Sequence, residues 1–129
     1  MIDFHSRAFV EALHDEQLRL HGGAPGIRDS GLLDSALAHP LQKQAYGEPD
    51  LFDLVAAYLF GILKNHPFID GNKRTGLATA DLFLYFNGYS LETEQEDIIQ
   101  LVLMASTSEV DEHGASAFFR DHTVVLDES

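Results

Sequence analysis

Two long apolar segments occupy the middle of the chain, and a short polar stretch separates them. The first, residues 51–64, is apolar nearly all round, as is typical of a helix buried on every side. Asp50, just before it, is a suitable N-cap. The second, residues 72–87, repeats this pattern and ends at Asn87-Gly88, a common helix terminus. The pattern therefore predicts two central, buried helices joined by the polar stretch.

The remaining apolar positions recur mainly at helical spacing, so we expect four amphipathic helices around the central pair. They span residues 3–20 with Asp3 as N-cap, residues 29 or 30 to just before Pro40, residues 94–106 with Thr93 as N-cap, and residues 111–122. Residues 124–126 can form a short strand or a docking segment, and strand patterns are otherwise almost absent. The sequence predicts an all-α fold, a compact bundle of about six helices in which residues 1–129 form a single domain.

Composition excludes several classes of function. The chain has no Cys, which rules out disulfides and thiolate zinc sites. A net charge of -13 and a pI near 4.6 work against binding to nucleic acid. The longest apolar run, residues 54–63, is about half the length of a membrane span, and the N-terminus lacks the basic start of a secretory signal. We expect a soluble, cytoplasmic protein with no nucleic-acid and no membrane partner.

The polar stretch, residues 64–76, has the features of a phosphate site. Three of the eight basic residues fall within it, namely Lys64, Lys73 and Arg74. Gly71 and Asn72 lead directly into the second central helix, whose first N–H groups would be free and lie at its positive dipole end. Such a helix start binds anions, and the two basic side chains beside it favour a phosphate.

Two further residues of this stretch suggest transfer chemistry. Asp70 can hold a magnesium ion against a bound phosphate, although Asp is also a common helix cap. His66 has a side chain suited to moving protons near neutral pH, although it can equally be a structural loop residue. A transition-metal site built on this pair would have only two ligands, fewer than zinc takes. The residues by themselves favour phosphoryl or nucleotidyl transfer.

The segment His66–Arg74, HPFIDGNKR, resembles the signature loop of the Fic/Doc family, HxFx[DE]xNxR. Residues 22–36, GGAPGIRDSGLLDSA, are similar to the N-terminal segment of its Doc-type ("death on curing") toxin branch. The resemblance implies a helical fold, His66 as general base, Asp70 as the magnesium ligand, and a nucleotide phosphate site at four residues: Gly71, Asn72, Lys73 and Arg74. It also implies that residues 21–29 form a flap against which a target segment lies, although a plain connector explains them equally well.

Two departures from the AMP-transferring members of the family bear on the reaction. Those members have Gly where this chain has Lys73, and a second Arg where it has Leu77. The Doc-type branch implies a kinase instead, which holds ATP with Mg²⁺ in the reversed orientation and transfers the γ-phosphate to a Ser or Thr hydroxyl. AMP transfer and a catalytically silent nucleotide-binding or interaction protein are the alternatives.

The resemblance also implies partners. Doc-type toxins imply elongation factor Tu as the target, with arrest of translation as the result. The chain carries no [Ser/Thr]-x-x-x-Glu-[Gly/Asn] inhibitory signature, so we expect a cognate antitoxin whose C-terminal segment folds on binding. Outside the signature, His14-Asp15 and Arg28-Asp29 are candidates for lining the cleft.

Overall fold

A computed structural model describes residues 1–126 of the chain. It contains six α-helices and a two-stranded antiparallel sheet, and the predicted all-α fold is confirmed. The helices are α1 (Arg7–His21), α2 (Ser30–Ala45), α3 (Leu51–Asn65), α4 (Asn72–Phe86), α5 (Gln95–Ser106) and α6 (Glu112–Asp121). The strands are β1 (Tyr89–Leu91) and β2 (Thr123–Val125).

Helix α3 forms the centre of the molecule, as its apolar composition predicts. Every residue from Leu54 to Leu63 is buried, and helices α2, α4, α5 and α6 all contact α3. A capping box starts the helix: the Asp50 carboxylate accepts the Asp53 N–H, and the Asp53 carboxylate accepts the Asp50 N–H. This buried helix fixes where the loop that follows it leaves the core.

Helix α4 differs from its prediction, because only one face of it is buried. Phe83 and Leu84 lie in the core, whereas Tyr85 and Phe86 are 56% and 47% exposed. The helix packs on α3 and α1, and its opposite side is open along much of its length. Of the two apolar segments, only the first is therefore surrounded by protein.

Three predicted helix boundaries were wrong, one of them at α5, whose N-cap is Glu94 rather than Thr93. Helix α1 begins at Arg7 rather than Asp3, because the Ser6 hydroxyl accepts the Phe9 N–H and caps the helix there. Helix α2 continues to Ala45 and passes through Pro40, where the prediction ended it.

Close packing accounts for Pro40 inside α2. Proline lacks the N–H that would bond to the carbonyl of Ala36, four residues earlier. That carbonyl faces Gly61 of α3, where an added Cβ would lie only 2.6 Å from the Ala36 oxygen. The two helices therefore meet at a glycine, and the carbonyl oxygen that the proline leaves unbonded lies against the Gly61 backbone.

The small sheet closes the C-terminal part of the fold. Strand β2 pairs with β1 so that Tyr89 lies opposite Val125 and Leu91 opposite Thr123. The strand alternative for residues 124–126 is thus confirmed over Thr123–Val125, while β1 was not predicted. None of the helices in residues 1–126 has the length and apolar character needed to cross a membrane. The fold leaves the α3–α4 loop at the surface, anchored on the central helix.

Candidate active site

The loop from His66 to Gly71 runs between the C-terminus of α3 and the N-terminus of α4. His66 ends α3 in the left-handed conformation, with φ 46° and ψ 56°, which is uncommon for a residue other than glycine. Gly71 precedes α4 with φ 79°, a value that glycine adopts without steric cost. The chain therefore passes from α3 to α4 through a short loop that begins and ends at a residue in the left-handed conformation.

Groups suited to binding an anion converge where α4 begins. Within residues 1–126, the backbone N–H groups of Asn72, Lys73 and Arg74 have no protein acceptor. The Lys73 and Arg74 side chains are exposed and form no ion pair in this part of the chain. These groups share one surface concavity of about 370 Å³ with His66 and Asp70. The structure thus brings all six predicted site residues around one concavity.

Asn72 is also part of this concavity, but its side chain is turned inward and buried. Its amide oxygen accepts the Phe68 N–H at 3.0 Å, and its amide nitrogen donates to the Phe68 carbonyl at 2.9 Å. Asn72 does not cap α4, because Gly71 occupies the N-cap position and no side chain caps the helix. The amide closes the loop, which leaves the backbone N–H as the group that Asn72 offers to an anion.

The same amide is directed at the candidate general base. Because the Asn72 oxygen is committed to the Phe68 N–H, its nitrogen must be the donor to His66 Nδ1, at 3.3 Å. In the neutral ring this contact places the proton on Nε2, because Nδ1 accepts the Asn72 N–H.

Asp70 is held from two sides by backbone N–H groups. One carboxylate oxygen accepts the Ala24 N–H at 3.1 Å and the other accepts the Gly71 N–H at 2.8 Å. These bonds, that from Ala24 first, lower the pKa of Asp70. The side chain is exposed, so an ionised carboxylate is available at neutral pH.

The chemistry of Asp70 fits magnesium better than a transition metal. Residues 1–126 bring together no group of three or more His, Asp or Glu side chains that could hold a metal ion. Zinc needs three or four such protein ligands, whereas Mg²⁺ is usually bound by one or two carboxylates together with substrate phosphates and water. A lone carboxylate beside a phosphate site matches that second pattern.

Residues 22–29 form a flap that is hydrogen-bonded along the loop. Ile27 pairs with Phe68 in an antiparallel bridge, the Arg28 N–H donates to the Pro67 carbonyl at 2.7 Å, and the Ile69 N–H donates to the Gly26 carbonyl at 3.0 Å. Gly23 allows this approach, since a Cβ there would lie 2.8 Å from an Asp70 carboxylate oxygen. The segment does more than connect α1 to α2, because it supports the loop and the Asp70 carboxylate.

Arg28 holds the end of α3. Its Nε donates to the His66 carbonyl and its terminal nitrogen to the Asn65 carbonyl, both at 2.7 Å. The last carbonyl groups of a helix lack internal partners and lie at its negative dipole end, which suits a cation. The planar guanidinium reaches both carbonyls at once and so stabilises the turn at His66.

His14 of α1 supports the loop from inside. Its ring is 3% exposed and stacks on Phe68 with ring centres 3.9 Å apart. Nε2 lies 2.8 Å from the Asp70 carbonyl, so it must carry a proton and donate to that oxygen. Of the pairs expected to line the cleft, His14 and Arg28 contact the loop, whereas the Asp29 side chain caps α2.

Comparison with known proteins identifies the family. A sequence model of the Fic/DOC family matches residues 4–84, which include the flap, the loop and most of α4. The chain belongs to the Fic/DOC family. It is 37% identical over 100 residues to "Protein kinase doc" of Escherichia phage P1, covering 77% of this chain and 79% of that protein. It is 46% identical over 76 residues to "Toxin Doc" of Mycolicibacterium smegmatis (strain ATCC 700084 / mc(2)155), covering 57% and 58%.

Membership of the Fic/DOC family confirms the resemblance stated from the sequence. The signature loop could be found because its residues are consecutive, whereas its two supports come from distant elements. His14 and Arg28 precede the loop by dozens of positions, and neither is spaced in a way that marks its contact. The sequence named both residues only as candidates for lining the cleft.

Proposed function

We propose that this protein is a Doc-like toxin kinase that transfers the γ-phosphate of ATP to a Ser or Thr hydroxyl of a protein target. The observation that carries the proposal is the single concavity shared by His66, Asp70 and the α4 N-terminus with Lys73 and Arg74. The names of the two relatives, a protein kinase and a toxin, support the same reaction.

In this reaction His66 accepts the proton of the target hydroxyl. The hydroxyl oxygen forms a bond to the γ-phosphorus while the bond from that phosphorus to the β,γ-bridging oxygen breaks, and ADP leaves. Positive charge and N–H donors near the transferring phosphate stabilise its transition state without taking part covalently. Lys73 and Arg74 supply the charge, and the free backbone N–H groups of residues 72–74 supply the donors.

Asp70 is the residue that would hold Mg²⁺. When bound, the ion neutralises phosphate charge and so assists transfer. The lowered pKa of Asp70 supports this role, because the carboxylate stays ionised over the whole neutral range. The Ala24 and Gly71 N–H groups fix the orientation of its oxygens before any ligand binds.

Lys73 favours γ-phosphate transfer over AMP transfer. Its exposed side chain fills room at the start of α4 that a glycine would leave for the nucleotide, and it adds a charge there. Leu77, one turn further along α4, provides an apolar surface in place of a second guanidinium. AMP transfer would therefore have neither the space nor the second Arg that the resemblance associates with it.

We further propose elongation factor Tu as the target, so that modification arrests translation in the cytoplasm. The exposed flap edge at Ile27 is a suitable place for an extended target segment, since a strand can pair with free backbone groups there. An active toxin kinase requires restraint, so a cognate antitoxin with a C-terminal segment that folds on binding belongs to the proposal. Coupled folding of this kind gives a large negative heat-capacity change.

The test is transfer of label from [γ-³²P]ATP to purified elongation factor Tu, with the protein produced together with its antitoxin and then separated from it. We expect label on a Ser or Thr residue with the wild type. His66→Ala should fold normally and lose about 10²–10⁴-fold in rate, as removal of a general base does. Wild-type rates in a folded His66→Ala protein, or no labelled target, would contradict the proposal.

A further inference from the structure

A second pocket lies between α1 and the flap, and it shares no residue with the phosphate concavity at the start of α4. It has a volume of about 290 Å³, and six residues line it: Glu11, His14, Asp15, Gly26, Ile27 and Phe68. We call it the α1–flap pocket. Sites for whole small molecules usually enclose about 300–1,000 Å³. A pocket just below that range suits a single side chain of a larger partner.

The buried ring of His14 leaves one acceptor without a protein partner. Its Nε2 carries the proton that is donated to the Asp70 carbonyl, so Nδ1 of the neutral ring is an acceptor. Within residues 1–126, no group donates to this Nδ1. The Cδ2–Nε2 edge of the ring faces Gly71, so Nδ1 lies on the other side, toward the α1–flap pocket. A buried nitrogen with a free lone pair favours a ligand that brings an N–H donor.

Two carboxylates of α1 line the same pocket. Glu11 and Asp15 are four residues apart and so share one face of the helix. Glu11 lies 3.4 Å from the Nε of Arg7, which also pairs with Asp34. Asp15 is exposed, and within residues 1–126 no cation pairs with it. No cationic side chain is among the six lining residues, so the pocket favours a positively charged occupant.

The flap presents a free strand edge at Ile27, beside this pocket. The Gly26 carbonyl and the Arg28 N–H bond to the loop, and they flank Ile27 in its antiparallel bridge with Phe68. The N–H and carbonyl of Ile27 itself therefore point to the opposite edge. An extended target segment that pairs with this edge places the side chain opposite Ile27 on the same face as Ile27 and Phe68. Both of these residues line the α1–flap pocket.

We propose that the α1–flap pocket binds an Arg or Lys side chain of the target protein. The positive group lies between the carboxylates of Glu11 and Asp15 and donates an N–H to His14 Nδ1. Its apolar stem packs against Ile27, as the long stems of basic side chains do on apolar surface. The inference rests on the proposed function, and it adds the residues that select the target.

The alternation of the strand also fixes where the basic residue lies relative to the modified hydroxyl. Ile69 follows Phe68 and points to the other face, where it lines the phosphate concavity together with His66. A Cβ on Gly26 would lie 2.9 Å from the Ile69 Cδ1, so residue 26 is on that face too. The target residues next to the one opposite Ile27 therefore face the concavity. We expect the basic residue directly before or after the phosphorylated Ser or Thr.

The test measures transfer from [γ-³²P]ATP to elongation factor Tu, and mass spectrometry locates the labelled residue. Asp15→Asn and Glu11→Gln should each raise KM for the target about three- to tenfold, between the effects of an exposed ion pair and of a charged hydrogen bond. KM for ATP should stay unchanged, because neither residue lines the phosphate concavity. Glu16→Gln is the matched control. It removes the same charge from an exposed position of α1 outside the pocket, and both KM values should equal those of the wild type.

Charge exchange identifies the group that the pocket binds. Replacing the Lys or Arg beside the labelled residue of the target by Glu should lower kcat/KM with the wild-type kinase. Asp15→Lys should transfer poorly to the normal target and recover activity toward the Glu-substituted target. A merely structural role of Asp15 would not produce this recovery.

Three results would overturn the inference while the proposed kinase activity stands. They are a labelled residue with no basic neighbour, a wild-type KM for the target in Asp15→Asn and Glu11→Gln, and an absence of recovery in the charge exchange. If the wild type labels no target at all, the proposed function itself fails, and the inference fails with it.

Discussion

Replacing Arg28 should slow transfer without weakening nucleotide binding. Arg28 does not itself line the concavity at the start of α4, but its guanidinium bonds to the carbonyls of Asn65 and His66 hold the turn that presents His66. That turn is left-handed at a histidine, a conformation that costs about 1–3 kcal/mol and persists only when neighbouring contacts maintain it.

The magnitude follows from the two bonds that Arg28→Ala removes. Hydrogen bonds from charged groups contribute about 1.5–3 kcal/mol each when protected from water, and much less at exposed positions. Arg28 is exposed, so we assign about 1–2 kcal/mol to the pair together. That energy changes a population by a factor of about 5–30. The fraction of protein with the loop in its active form, and kcat with it, should fall by up to this factor.

The assay is steady-state transfer with varied ATP and with varied target. We expect kcat to fall for Arg28→Ala while KM for ATP stays within about twofold. Arg28→Lys should have an intermediate kcat, because an ammonium group cannot bond to both carbonyls as the planar guanidinium does. Amide exchange should quicken at residues 66–69 but not in α6. Arg19→Ala is the control, since Arg19 is exposed and pairs only with Glu16. Unchanged kcat and unchanged exchange in Arg28→Ala would refute the reasoning.

Three further substitutions and one pH effect can be tested. Asp70→Asn should weaken binding of magnesium nucleotide, because Mg²⁺ prefers a charged oxygen, and identical magnesium titrations would leave Asp70 with a structural role only. Lys73→Gly should lose γ-phosphate transfer and can gain weak AMP transfer, whereas full kinase activity would show that Lys73 does not set the reaction. Gly61→Ala should lower the free energy of unfolding by about 1–3 kcal/mol in urea titrations, because its Cβ would lie 2.6 Å from the Ala36 oxygen; a neutral result would mean that the two helices separate easily. Burial lowers the pKa of His5, so the unfolding free energy should fall as pH drops below about 6.5, and the fall should be smaller in His5→Gln.

The parts of the fold that follow from local pattern could be predicted. Helix α3 was predicted to within a residue because its apolar run, its Asp50 cap and its polar C-terminus all lie within consecutive positions. The loop residues were found for the same reason. Local pattern also explains much of the confirmed helix count, since α1, α2, α3 and α6 each begin at a capping side chain.

The errors came from contacts between distant residues. Pro40 normally ends a helix, and it is tolerated in α2 because the freed Ala36 carbonyl packs against Gly61, which lies on another helix. Strand β1 forms because it pairs with β2, which lies more than thirty residues later in the chain. Its three residues are too few to show the alternation of apolar and polar positions that predicts a strand. No local pattern could have predicted either feature.

His14 and Arg28 were named as candidates for lining the cleft, but their contacts with the loop backbone were not predicted, for a similar reason. Arg28 and His14 hold the loop by donating to its backbone carbonyls. Every loop sequence has backbone carbonyls, so the residue types of the loop do not indicate these two contacts. For Asn72, the sequence predicted that the residue belongs to the site, but it did not predict that its side chain points inward. Its amide bonds within the loop to Phe68, and only the folded loop determines that geometry.

The measurement that tests the central claim most directly is the identity of the nucleotide product. Purified wild-type protein, Mg²⁺-ATP and elongation factor Tu are incubated together, and ADP and pyrophosphate are quantified against the modified target. The account predicts one ADP per modified target, no pyrophosphate above background, and neither product with His66→Ala. Pyrophosphate formed in equal amount with a target that carries AMP would contradict it, because the nucleotide would then lie with its α-phosphate beside His66.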